Sequence, residues 1–115
     1  MAASKEYVAF VLEQLAGVAV LSSRPMFGAV SIYGNGTIFA MVHDDQLYLK
    51  VGPHNLADFE ASDSEPFRPY GDERTMAYWT VPPNVLEDRE ALVAWSKKAL
   101  EGAQTASRAK TRRKR

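Results

Sequence analysis

The sequence predicts an α+β domain with two layers: a mainly antiparallel sheet of five strands and helices covering one face, in the order α-β-β-β-α-β-β-α. Three observations predict it. Apolar residues recur at helical spacing near both ends, over Val8, Val11, Leu12 and Leu15 and again over Leu92, Trp95, Ala99 and Ala103. Between these stretches the period falls to two, and most strand-like runs are joined by connections too short for parallel crossovers. The chain has 115 residues and no cysteine, which suits one domain with its own core and excludes disulfides and thiolate metal sites.

Each element has a local reason. Ser4 can cap the first helix, its hydroxyl accepting from an amide of the first turn, and Gly17 can close that helix in a left-handed conformation. From Met26 to Tyr33 the alternation reads as a strand, with Met26, Gly28, Val30 and Ile32 on one face and Phe27, Ala29, Ser31 and Tyr33 on the other. Gly34-Asn35-Gly36 is a hairpin turn, because glycine and asparagine accept positive φ. Thr37–His43 is the second strand, Asp44-Asp45-Gln46 turns the chain, and Leu47–Val51 is the third. Gly52-Pro53 ends it, and Pro53 can begin a short helix anchored by Leu56 and Phe59. Phe67–Tyr70 reads as an edge strand, where Pro66 and Pro69 cost least, followed by a loop at Gly71–Arg74 and a fifth strand from Thr75 to Val81. Pro82-Pro83 stops the ladder, and Asn84 or Asp88 can cap the last helix.

Charge is distributed unevenly although its formal sum is zero. Residues 1–107 hold eight Lys and Arg against fourteen Asp and Glu, a net −6, whereas Arg108, Lys110, Arg112, Arg113, Lys114 and Arg115 crowd the last eight positions. Those positions contain no large apolar side chain, so a domain at 1–103 followed by a flexible basic tail at 104–115 is expected. The start of the chain shows no secretory pattern and no apolar run is long enough to span a bilayer, which points to a cytoplasmic protein that does not enter the membrane.

If the apolar strand faces turn toward the helices, Tyr48 and Lys50 share the opposite face with Phe27, Tyr33 and Phe39. That face is either a contact for a protein partner or a second copy of the chain, or a surface that a helix covers.

The residues Arg24-Pro25-Met26-Phe27-Gly28, Ile38-Phe39-Ala40-Met41-Val42, Leu47-Tyr48-Leu49-Lys50-Val51, Phe67, Tyr78-Trp79-Thr80-Val81-Pro82 and the last helix from Leu92 to Leu100 follow one another in an informative order. Together they resemble the N-terminal domain of the TfoX/Sxy competence regulators, from about Leu12 to Leu100. The resemblance implies a secretion-chaperone-like fold with Met26, Phe27 and Gly28 as its motif. It also implies a cytoplasmic, non-enzymatic regulatory role exerted through a protein partner of the transcription machinery. Full-length regulators of that type continue into a helical second domain, whereas this sequence ends in a basic segment.

The candidate partner-binding residues are Arg24, Phe27, Phe39, Tyr48 and Lys50. The guanidinium of Arg24 suits either an ion pair within the body or a bidentate grip on a carboxylate or phosphate. Gly28 marks a bulge or a close approach of another element. Nothing spells out catalysis. His43 and His54 lack the spacing of a metal site, Ser22-Ser23 lacks the glycines of a nucleophile elbow, and the acids form no recognisable pair, so no cofactor or metal is expected. The alternative function is sequence-independent nucleic-acid binding by Arg108, Lys110, Arg112, Arg113, Lys114 and Arg115, through counterion release and without interleaved aromatics to read bases.

Overall fold

The computed structural model describes residues 4–26, 28–68 and 77–113. Its elements are α1 (Lys5–Gln14), β1 (Leu21–Met26), β2 (Ala29–Gly34), β3 (Thr37–His43), β4 (Gln46–Lys50), α2 (Leu56–Glu60), β5 (Tyr78–Thr80), α3 (Pro83–Leu86) and α4 (Arg89–Arg113). The five strands form one antiparallel sheet in sequential order, and α4 packs across β3 and β4 with α1 beside it. The α+β class and the antiparallel five-stranded sheet are as the sequence predicts.

The core lies between sheet and helices. Val11 and Leu15 from α1, Leu92, Ala99 and Leu100 from α4, and Phe59 from α2 meet Ile32, Ala40, Val42, Leu47 and Leu49 from the sheet. Burial of each large side chain contributes about 1.5–3 kcal/mol, which is what holds short strands in one register.

Local chemistry explains most boundaries. Ser4 caps α1 by accepting from the Tyr7 amide at 3.2 Å, while its own amide donates to the Asp45 carboxylate at 2.7 Å. Asn35 (φ 50°) and Gly36 (φ 85°) form the predicted β2–β3 turn, and Asp44 and Asp45 hold the β3–β4 turn with φ of 49° and 54°. Asp88 caps α4, its Oδ1 accepting from the Ala91 amide at 3.2 Å.

Several elements sit differently from the prediction. The expected first strand across 26–33 is two strands: Met26 pairs with Ala29, and Gly28 turns the chain at φ 82°. A Cβ at Gly28 would touch nothing within 4 Å, so its backbone angle, rather than a bulge or close neighbour, makes glycine suitable. Pro25 falls on the edge strand β1, where a missing N–H costs least. Gly17 does not close α1 in a left-handed conformation; the helix ends at Gln14 with Leu15 as its cap. The helix after Pro53 begins later, at Leu56.

Of the expected edge strand Phe67–Tyr70, residues 67 and 68 lie in no strand; beside them Pro66 makes an isolated bridge to Trp79, flanked by the Phe67 amide donating to Tyr78 and the Thr80 amide donating to Glu65. Both bonds belong to the neighbours of Pro66, whose missing N–H is not called on. Residues 69–76, with the expected Gly71–Arg74 loop, lie outside the described residues.

The basic segment is helical through Arg113, where α4 ends. Residues 104–113 contain neither glycine nor proline and extend a helix already nucleated against the sheet.

Candidate functional site

The sheet face away from the helices is the first place to seek the expected contact surface, and the register defines it. Ser31 faces Met41, Met41 faces Tyr48, Tyr48 faces Thr80, and Lys50 faces Tyr78. This face is not open. Ser31 is 1% exposed, Met41 2% and Tyr78 8%. The Phe67 ring lies over it, 5.1 Å from both the His43 and the Tyr48 rings, edge-on to each. Tyr48 is thus half-buried, and its phenol is pushed above the usual range by desolvation first and by the nearby Asp44 and Glu65 carboxylates second.

Phe39 does not belong to that face at all. Ile32 pairs with Ala40 but Tyr33 pairs with Ile38, so Phe39 is an extra residue in β3, a bulge that turns its ring into the core beside Ala40. It is fully buried and cannot touch a partner. The bulge sends Ile38 to the other side, next to Tyr33. Phe27 lies outside the described residues, as do Lys114 and Arg115.

Arg24 and Lys50 are each linked to Tyr33, the first by a ring contact and the second by a shared groove. The Arg24 guanidinium carbon stands 5.9 Å from the centre of the Tyr33 ring, a cation–π contact in place of either expected ion pair. Tyr33 and Lys50 then line a groove of about 430 Å³ with Gly36, Thr37, Ile38, Ala103 and Ala106. It lies at the end of the sheet, where α4 passes the β2–β3 hairpin. A smaller cleft of about 80 Å³ adjoins it, shares Lys50, Ala103 and Ala106, and adds His54 and Gly102. Among the described residues, neither lining contains an Asp or Glu.

The walls are fixed by hydrogen bonds. Asn55, 2% exposed, donates from Nδ2 to the Lys50 carbonyl at 3.1 Å and accepts the Gly52 amide on Oδ1 at 2.7 Å. His54 donates from Nε2 to the Lys98 carbonyl of α4 at 2.7 Å, its ring lying where a Cβ on residue 102 would stand. The β4–α2 connection is therefore latched to α4. Of the other predicted basic residues, Arg108 is exposed, and Lys110, Arg112 and Arg113 fall in the last turns of α4.

Ile38, Ala103 and Ala106 are absent from the candidate binding residues that the sequence offers. The alternation of β3 assigned Ile38 to the core, and only the bulge reverses it. The small residues at 99, 102, 103 and 106 were a readable signal, since that spacing marks one face of a helix against which another element can approach closely.

No helix among the described residues is long and apolar enough to cross a membrane. A comparison with curated proteins finds no match. The family model of the TfoX N-terminal domain, a regulatory domain family, matches residues 13–103 and so takes in every sequence block from Arg24 to Leu100 together with Ala103 of the groove. The chain belongs to the TfoX N-terminal domain family.

Proposed function

We propose that this protein is a non-enzymatic regulatory module that works by binding a protein partner, of the transcription machinery or acting upon it, through the groove between the β2–β3 hairpin and α4. Family membership supports the regulatory half of this reading. The groove supports the binding half: Lys50 and Tyr33 line it with Ile38, Ala103 and Ala106, and Arg24 stands over the Tyr33 ring. That arrangement combines an apolar anchor site with charged groups able to set orientation. The test is photo-crosslinking capture in cells with the parent chain and with Ile38→Asp. Recovery of a defined partner by the parent and its loss with the variant, at unchanged melting temperature, is the expected result; equal recovery by both overturns the assignment to this groove.

A second reading is supported by the continuation of α4 through Arg113. Arg108, Lys110, Arg112 and Arg113 crowd the end of one helix, where they can follow a phosphate backbone without reading sequence. Replacing these four by Gln should then abolish DNA and RNA binding measured at low salt. Absence of binding by the parent chain at low salt rules this reading out.

A further inference from the structure

The groove's charge specifies the chemistry of its occupant. We propose that it binds an acidic peptide segment, one in which carboxylates flank an apolar side chain; this rests on the partner reading above and names the kind of sequence the partner would present. Lys50 lines both the groove and the adjoining cleft, and among the described residues no carboxylate pairs with it. Arg24 likewise contacts a ring, and no acid among the described residues. These two cations stand on a body that carries a net charge of −6 over residues 1–107. On α4 the positions 99, 103 and 106 run along one face. The groove is therefore apolar along its α4 side, with Lys50 as the cation of its lining among the described residues.

An acidic peptide fits this pattern better than a nucleic acid. A sugar–phosphate backbone has no apolar group to place against Ile38, Ala103 and Ala106, and base stacking needs a free aromatic face, whereas Arg24 already lies over the Tyr33 ring. A leucine or phenylalanine side chain fills such a floor, and carboxylates on either side reach Lys50 and Arg24. The latches at Asn55 and His54 hold the Lys50 wall in place before binding, so little ordering is required of the protein.

The test uses the full chain and a fluorescein-labelled peptide of alternating glutamate and leucine, about ten residues long, a length able to cross a groove of this size in extended form. Anisotropy should show saturable binding that weakens with salt, and amide shifts should cluster at Tyr33, Ile38, Lys50 and Ala103. Lys50→Glu should weaken binding by about tenfold or more, whereas Lys50→Arg should retain it, with melting temperature as the check that each variant is folded. Failure of the peptide to bind, or equal binding by Lys50→Glu, overturns the proposal. So does a DNA duplex that shifts the same amides at lower concentration. If the peptide fails while Ile38→Asp still loses its captured partner, the acidic chemistry falls and the partner reading stands.

Discussion

Ser96 and Asn55 are both polar and both enclosed, yet only Asn55 is satisfied. The Ser96 hydroxyl is fully buried on α4 and has no hydrogen-bond partner among the described residues, whereas Asn55 makes its two bonds to the backbone at the end of β4. The same kind of substitution should act in opposite directions at the two sites. Ser96→Ala removes an unsatisfied group and improves helix propensity, so it should stabilise by about 1 kcal/mol. Asn55→Ala leaves the Gly52 amide and the Lys50 carbonyl without their partner and should destabilise by about 2 kcal/mol. Urea unfolding of the two variants beside the parent checks both signs. Residue-level reading from sequence was most successful at turns and caps: Ser4, Asn35, Gly36 and Asp88 act through their own chemistry and do not depend on distant neighbours. It failed at Phe39, whose direction is set by an extra residue relative to a partner strand, a quantity that a single strand does not contain.

Among the elements, α4 carries the most consequence, because its buried stripe holds the sheet and its continuation borders the groove. Gly102 lies inside it, where glycine costs about 1 kcal/mol relative to alanine. The reason is the His54 ring, which occupies the place of the missing Cβ and bonds the Lys98 carbonyl. Gly102→Ala should exchange that hydrogen bond for helix propensity, two effects each of about 1 kcal/mol, and leave stability nearly unchanged. The His54 imidazole resonances should shift strongly as the ring is displaced, and an unchanged His54 spectrum would contradict the packing described. In the sheet, the alternating pattern located β3 and β4 within a residue, since their buried faces are long enough to show a period. The β1–β2 hairpin was hidden because β1 is an edge strand whose residues Ser22, Ser23, Arg24 and Pro25 are exposed and show no apolar alternation.

For the whole molecule, three tyrosines tie stability to alkaline pH. Tyr7, Tyr48 and Tyr78 all have phenol pKa values raised above 10.0, in each case mainly by desolvation. Folding favours their protonated form. The stability this represents is complete below the unfolded value near 10.0 and is lost as pH rises through the folded values. The melting temperature should therefore fall as pH is raised from about 9 to about 11, and Tyr7→Phe combined with Tyr78→Phe should flatten the decline. A parallel decline in parent and double variant would assign it to other groups.

By itself, the sequence determined the class of fold, the antiparallel sheet, the turns, the family and the acidic body with its cationic end. These follow from periodicity, local backbone chemistry and counted charge, all of which act over a few residues or need no geometry. Tertiary structure alone decided that Phe67 covers the far face of the sheet, that Phe39 belongs to the core, and that Tyr33 has Arg24 over its ring and shares a groove with Lys50 and α4. Each of these depends on which strand lies beside which, and in what register. One residue of shift exchanges the two faces of a strand, and the bulge at Phe39 makes that shift midway along β3.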